Sequence, residues 1–380
     1  MFKYLFVVIT LVMPLAGIGA PGTATGGGER PGEPRASAGT LFGGHDLLEL
    51  SLAVDFNALC RPNEVKDCDY TPVTLHLQTG AGPEQAIAVQ VRVRGGWRAR
   101  RDHCEVPPLF IRFPVEGVAG TPFAGQTLLP LTTHCRAKVD RGLGAGGGAD
   151  YEQYVLKEYI GYRLYNLVTD RSLRVRLVRI NYSNPAGSGG AITRYAFFTE
   201  HFDAMAERLG LQRLPRGSFA HDKVDLHAWD EVALFNFMIG NTDWSVVRQR
   251  NIVLLADSDG RQYPVPFDLD MSGLVDAEYA GVSPRLDFRD PKHRYYLGFC
   301  HPQPDFESLF SEFRREQPAM LALPADTPGL SRDSRKVSRR YLEWFFNILD
   351  SQQRSQQDII GACHPWPPSP VDHTTPPDPA

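Results

Sequence analysis

The chain has no surplus of basic charge: 40 Lys and Arg stand against 44 Asp and Glu, for a net charge of -4. Its arginine clusters are scattered among acidic residues, so the positive footprint that nucleic-acid binding needs is missing and nucleic acid is excluded as a partner. The six cysteines contain no CxxC pair and no Cys/His cluster at zinc spacing, which argues against a structural zinc site. No HExxH is present, and His103, His134, His221 and His227 read as structural or surface residues. Ser183, Ser188 and Ser272 lack the GxSxG context of a serine hydrolase. The apolar run Leu5 to Leu15 is shorter than the roughly 20 residues a spanning helix needs, so no stable membrane anchor is expected. No internal repeat is apparent.

What is present is an ordinary globular composition. With 380 residues, 42% of them hydrophobic and 22% charged, the chain can bury a sizeable core in one large domain or two lobes. Residues 1–20 read as an export signal, with Lys3 ahead of the apolar run and the small residues Ala16 to Ala20 after it. No Cys follows that run, so lipoprotein anchoring is not expected, and the mature protein is expected in a periplasm or secreted. Residues 21–40, rich in Gly, Pro and Ala, read as a flexible linker. The folded part is expected over 41–363, and the Pro-rich segment 364–380 as a disordered tail. In an exported protein six cysteines imply disulfides. The sequential pairing Cys60–Cys68, Cys104–Cys135 and Cys300–Cys363 is expected, because near neighbours in the chain are often near in space.

Alternating apolar and polar residues predict strands over Leu47 to Phe56, Val73 to Leu77 and Ala86 to Arg94, and less cleanly over Leu109 to Phe113 and Thr127 to Thr133. The glycine-rich stretch Gly142 to Asp150 reads as a connector or as a phosphate cradle; it matches neither GxxxxGK[ST] nor a strand-borne GxGxxG. Asp150, with Gln153 three residues on, has the form of a capping box and starts a helix over 151–168. Two strand-like runs, Leu173 to Tyr182 and Ala191 to Glu200, flank the hairpin signal SNPAGSGG. Helical spacing then marks HFDAMAERLG, the LHAWDEVALFNFMIG run capped by Asp225, Phe306 to Arg314 and Ser334 to Leu349. The resulting expectation is an α+β, two-lobed arrangement, with a β-rich N-lobe over about 41–200 and a mainly helical C-lobe over about 201–363.

Chemistry concentrates in FNFMIGNTDWSVVRQRNIVLLADSDGRQYPVPFDLDMSG, Phe235 to Gly273. A two-residue Asp259-Gly260 turn between the β-like runs NIVLL and QYPVPF sets Asn251 opposite Asp268, with Asp270 diagonally beyond. Pro264 and Pro266 mark the second strand as an edge. An amide and two carboxylates converging in this way suit a hard cation such as Mg2+. Asp243, just after an apolar helix, is placed to reach a substrate hydroxyl. Arg98, Arg100 and Arg101, near His103, read as a solvated strand end, with an anionic substrate as the alternative.

This stretch resembles the catalytic core of atypical protein-kinase-like proteins of the HipA type and of the spore-coat CotH type. RVRGG (Arg92 to Gly96) and YVLKEYIGYRLYN, with the basic hairpin after it, are similar to further parts of the CotH type. The resemblance implies a protein-kinase-like fold and ATP- and metal-dependent phosphotransfer, with Mg2+ or Mn2+, to a protein or small hydroxyl acceptor. It implies Asp243 as catalytic base, Asn251 and Asp268 as metal ligands, and Asp270 as the second carboxylate. It also asks for a strand-borne cation paired with a helix acid to hold phosphates. Glu158 is the acid. TLLPLTT contains no Lys, so Arg94 and Arg112 are the candidate cations. The alternatives are a pseudokinase-like binding or scaffold protein and a metal-dependent phosphoryl or glycosyl enzyme using the same carboxylates.

Overall fold

Seven strands between Leu48 and Thr199 each bury an inward face, and that shared inner face closes the sheet on itself. The computed structural model describes residues 41–78, 84–114, 116–136, 150–186, 191–281 and 290–368. The expected export signal, linker and most of the glycine-rich stretch lie outside these residues. The strands are β1 (Leu48–Ala53), β2 (Thr71–Leu77), β3 (Gln85–Val93), β4 (Leu109–Arg112), β5 (Leu128–Thr132), β6 (Val175–Ser183) and β7 (Ile192–Thr199). Along β3 the residues Ile87, Val89, Val91 and Val93 are buried while Ala86, Ala88 and Gln90 are exposed, the period of two that a half-buried strand requires. Leu50, Leu75, Ile111, Leu129, Ile180 and Phe198 complete the same interior.

The strand order is β1-β2-β3-β4-β5-β7-β6, and the sheet closes because β6 pairs parallel with β1 from Leu48↔Val178 to Ala53↔Ser183. Closure leaves no free edge in this sheet. The strands β6 and β7 were expected to form a hairpin following the helix. They do pair with each other, but β7 also pairs with β5 and β6 with β1. The fold is therefore a closed seven-stranded β-barrel, and all described residues belong to one compact unit. This corrects the expected two-lobed kinase-like fold with a β-rich N-lobe and a helical C-lobe.

The first helix, α1 (Tyr151–Val168), joins β5 to β6. Asp150 caps it by accepting from the Glu152 N–H, and Gln153 turns away from the cap to bond Gly329 and Ser331. The outer faces of β6 and β7, through Val175, Leu177 and Phe197, share a second core with α1, α2 (Phe202–Leu209) and α3 (Leu226–Ile239). From Ala228 to Ile239 every residue of α3 is buried, which explains its lack of a polar face. The strand β8 (Gln212–Arg213), just before α3, and β9 (Ile252–Ala256) and β10 (Gln262–Pro266), after it, form a second sheet in the order β10-β9-β8. The proline-bearing β10 is an edge there, where a missing N–H costs no ladder bond. The short pair β11 (Phe299–Cys300) and β12 (His364–Pro365) and the helices α4 (Phe306–Asp326), α5 (Arg332–Leu349) and α6 (Gln352–Asp358) complete the chain.

Two expected boundaries move. The helix expected over Phe306 to Arg314 continues through Pro318 and Pro324, because Leu309, Phe313 and Met320 bury one continuous side of α4; tertiary packing outweighs the bond lost at each proline. Order also extends past Cys363. His364 and Pro365 pair with β11, and Trp366 packs against Trp229 and Phe299. All three disulfides, Cys60–Cys68, Cys104–Cys135 and Cys300–Cys363, are those expected. They are compatible with an exported protein, and no described helix is long and apolar enough to cross a membrane.

Cys300–Cys363 closes a loop with a sequence separation of 63 residues. Replacing both cysteines with Ser should lower stability by about 2–4 kcal/mol through the unfolded chain's regained freedom, read as a lower urea midpoint.

Candidate functional site

The site is built from four backbone segments that meet beside α1. The first follows α3. Gly240 ends that helix at φ +65, and a Cβ there would stand 2.0 Å from the Tyr341 hydroxyl, so only glycine permits the turn. Asn236, fully buried in α3, accepts from Asn241 Nδ2 at 2.9 Å, and Asn241 Oδ1 in turn accepts from the Asp243 N–H at 2.9 Å. These two amides fix the backbone that presents Asp243. The Asp243 side chain is held on both oxygens: Arg250 Nε stands 2.6 Å from Oδ1, and Asn251 Nδ2 donates to Oδ2 at 2.9 Å. A further bond from Asn251 Nδ2 to the Asp243 carbonyl, at 2.7 Å, uses the amide's second proton. The amide oxygen of Asn251 then remains as an acceptor.

The second and third segments are the start of β9 and the end of β10. The loop between them is one residue longer than expected: Asp257 N–H bonds the Arg261 carbonyl, and Gly260 takes the left-handed conformation. Such three-residue hairpin loops end in a left-handed glycine. The register is accordingly Ile252↔Pro266, and the Asn251 carbonyl receives the Phe267 N–H at 2.9 Å. Asn251 is thus opposite Phe267, which corrects the expected pairing with Asp268. A slip of one residue would normally turn a side chain to the other face. Here Asn251 (φ 49) and Asp268 (φ 57) both leave the extended conformation just outside the ladder. Left-handed backbone at a residue other than glycine is held by its surroundings and concentrates at functional sites. The Tyr162 hydroxyl supplies part of that hold by accepting from the Asp268 N–H at 2.9 Å. Gly161 supplies another part, since a Cβ there would lie 3.2 Å from Leu269. Its absence lets the Asp268-Leu269-Asp270 segment lie against α1.

The fourth segment departs from the first of its two expected readings. Arg98, expected at a solvated strand end, lies on a single 3-10 turn, Trp97–Ala99, with its side chain only 12% exposed. Its guanidinium reaches Asp268 Oδ1 at 3.1 Å, Asp270 Oδ2 at 3.4 Å and Glu158 Oε2 at 3.5 Å. The turn is fastened where Arg61 donates to the buried Ala99 carbonyl, and Cys104–Cys135 ties the following residues to the end of β5. Arg94 is at the margin of the cluster. It donates to Thr132 at 3.1 Å, and its Nε has no hydrogen-bond partner among the described residues. Arg112 is elsewhere, exposed on β4 with its guanidinium 3.8 Å over the Tyr70 ring. Arg100 and Arg101 pair with Asp102 and Glu64 at the surface.

Burial sets the charge state of the cluster. It pushes the Asp270 carboxyl up to about 6, aided by Asp268 and Asp243 and opposed by Arg98 and by a hydrogen bond from Tyr279. Glu158 is raised above the usual carboxylate range by burial and by Asp270 and Asp268, while Arg98 pulls it down. Asp243 is raised by burial, with Arg250 opposing. For Arg98, burial works against the charge, but Asp270 and Glu158 outweigh it and raise its pKa. A small cavity bounded by Arg98, Glu158, His134, Tyr151, Tyr154 and Tyr279 adjoins the cluster.

Of the residues expected at the site, Asp243, Asn251, Asp268, Asp270, Glu158 and Arg94 are brought together, and Arg112 is not. Sequence reading missed Arg250, Tyr162, Tyr279 and the Asn236–Asn241 pair, and offered Arg98 only in the alternative reading of an anion binder. Tyr162 had a usable signal, being four residues after Glu158 and so on the same helix face. The oxygens offered by the Asp268 and Asp270 carboxylates and the Asn251 amide are of the kind that Mg2+ or Mn2+ takes, although no three carboxylate or imidazole groups at this site bring their ligand atoms within 4.8 Å of one another among the described residues. The unpartnered Arg94 Nε and the Arg98 fork fit a phosphate group. Neither the models of protein families nor the curated proteins compared with this chain give a match.

Asn241→Ala would leave a buried Asn236 acceptor unpaired and should cost about 1–3 kcal/mol, measurable by urea unfolding. Because the Asp270 pKa is raised to about 6, a proton competes with a cation below that pH. Mn2+ affinity should fall by about tenfold between pH 7 and pH 5, which titration calorimetry would read.

Proposed function

We propose that the protein is a metal-dependent phosphotransferase that moves a phosphoryl group from ATP to a hydroxyl on a protein or small molecule. The observation that carries the reading is a buried arginine, Arg98, ion-paired with Glu158, Asp268 and Asp270, next to an Asp243 carboxylate held on both oxygens. Phosphoryl transfer needs little covalent chemistry from the protein. It needs positioning, neutralisation of phosphate charge and a group that orients the attacking hydroxyl. Asp268 and Asp270, with the Asn251 amide oxygen, would hold Mg2+ or Mn2+, which supplies charge neutralisation at the phosphates. Arg94 and Arg98 would hold the phosphate oxygens, and Arg here presents a planar fork where a Lys would present a point charge. Asp243 would accept the acceptor's proton. Its raised pKa strengthens it as a base, and Arg250 and Asn251 keep it oriented. The likeness of GNTDW, RQRN and FDLD to HipA-type and CotH-type proteins supports the same residues in the same roles.

The Arg250–Asp243 ion pair at 2.6 Å also favours a second reading, a binding or scaffold protein of pseudokinase type, because it ties up the base. The same carboxylates admit a different metal-dependent phosphoryl or glycosyl enzyme. We place the mature protein in a periplasm or the medium, a reading supported by its three disulfides and by the signal-like residues 1–20.

Millimolar ATP with Mg2+ should raise the melting temperature by several degrees, and Asp268→Ala should abolish the shift. Asp243→Ala should keep the shift and lower transfer of the γ-phosphate by about 10^2- to 10^4-fold. A melting curve unmoved by ATP and metal would overturn the phosphotransfer reading. A shift without any transfer, unaltered in Asp243→Ala, would favour the binding protein.

A further inference from the structure

We infer that Arg98 is an internal counter-cation of the carboxylate site, so that a divalent metal enters only together with a phosphate group that takes Arg98 over. This rests on the phosphotransfer reading and deepens it, by making the phosphate-bearing substrate a condition for metal binding.

The geometry sets up a competition. The two carboxylates that would ligate a metal, Asp268 and Asp270, already share the Nη2 of Arg98, at 3.1 and 3.4 Å, while Nη1 faces Glu158 at 3.5 Å. A divalent ion on the same oxygens would stand within a few Å of a full positive charge, and like charges that close repel, the more so on the Asp270 side, where the carboxylate is only 11% exposed against 48% for Asp268. Arg98 must therefore move its head group before a metal can be held. Glu158 alone is a poor refuge, because it lies within the same group of charges.

Charge balance names what receives the arginine. Four carboxyl groups, from Asp243, Asp268, Asp270 and Glu158, face three guanidiniums, from Arg94, Arg98 and Arg250. The cluster is close to neutral without an added ion. A metal by itself would leave an excess of positive charge, whereas a metal with a phosphate would not. The planar arginine fork matches two phosphate oxygens, and Arg94, beside Arg98, has an Nε without a hydrogen-bond partner among the described residues. The backbone permits the exchange. Gly95 and Gly96 precede Arg98, and both stand in open space, with nothing within 4 Å of where a Cβ would be. Beyond Arg98 the chain is fixed at Ala99 by Arg61 and at Cys104 by its disulfide. The exchange therefore asks for new side-chain torsions at Arg98 and leaves its root in place.

The test reads Mn2+ bound to the mature folded chain by electron paramagnetic resonance, each titration set against a protein-free solution holding the same inorganic pyrophosphate, the phosphate probe, because pyrophosphate itself chelates Mn2+. In the wild type, Mn2+ alone should bind weakly, and saturating pyrophosphate should tighten it at least tenfold. Arg98→Met removes the charge and keeps the bulk; it should bind Mn2+ alone at least tenfold more tightly than the wild type, with pyrophosphate adding less than threefold. Arg98→Lys should restore weak binding of the metal alone. If Arg98→Met does not fold, Arg98→Gln reads the same comparison. Equal Mn2+ affinity in the wild type and the uncharged variant, with Asp270→Asn still abolishing binding, overturns the inference and leaves the phosphotransfer reading standing. Absence of Mn2+ binding in every variant, with or without pyrophosphate, overturns both.

Discussion

One constraint organises this molecule: four carboxyl groups crowd a small volume, some of them out of water, and arginines must hold them there. Glu158 and Asp270 are almost fully buried, and an uncompensated buried charge costs several kcal/mol. Arg98 answers that cost from the barrel side. Its ion pairs join the turn after β3, the middle of α1 and the segment after β10. Those three pieces come from distant parts of the chain, and electrostatics gives each a reason to be where it is.

The scaffold makes the meeting possible by using both faces of two strands. Inward residues of β6 and β7, such as Ile180 and Phe198, fill the barrel, while Leu177 and Phe197 on the other side enter the helical core. Strands buried on both faces tolerate little displacement, so α1, packed against them, is a rigid shelf. Glu158 and Tyr162 project from that shelf toward the site, and Gly161 between them allows the aspartate-bearing segment to approach. On the opposite side, the buried Asn236–Asn241 pair gives the Asp243 turn the same rigidity. The site is thus held by packing on one side and by a short hydrogen-bond chain on the other.

Much of the local structure was legible because local rules govern it. Period-two alternation and, less cleanly, strand-like runs gave all seven barrel strands to within a few residues, Asp150 and Asp225 marked their helix starts, and the near-neighbour argument gave the three disulfides. The errors arose where a local rule met a larger one. The Asp259-Gly260 pair signalled a hairpin, but Gly260 closes a three-residue loop and shifts the register by one. The helical spacing from Phe306 was read only as far as Arg314, but the buried side of α4 carries on through Pro318. Arg98 sits among exposed arginines in a polar stretch, and nothing in its neighbours distinguishes it from Arg100 or Arg101.

By itself, the sequence determined which segments are strands and helices, and it marked Asp243, Asn251, Asp268 and Asp270 as residues whose chemistry belongs together. Periodicity, capping and turn chemistry act over a few residues, so they can be read from a few residues. Only the tertiary structure decided that the sheet closes into a barrel instead of forming one lobe of two, since closure rests on the pairing of β1 with β6, more than a hundred residues apart. It also decided which arginine lies among these carboxylates. Arg94, Arg98 and Arg112 are alike as residues; burial and the distance to three carboxylates separate them, and those are properties of the folded chain alone.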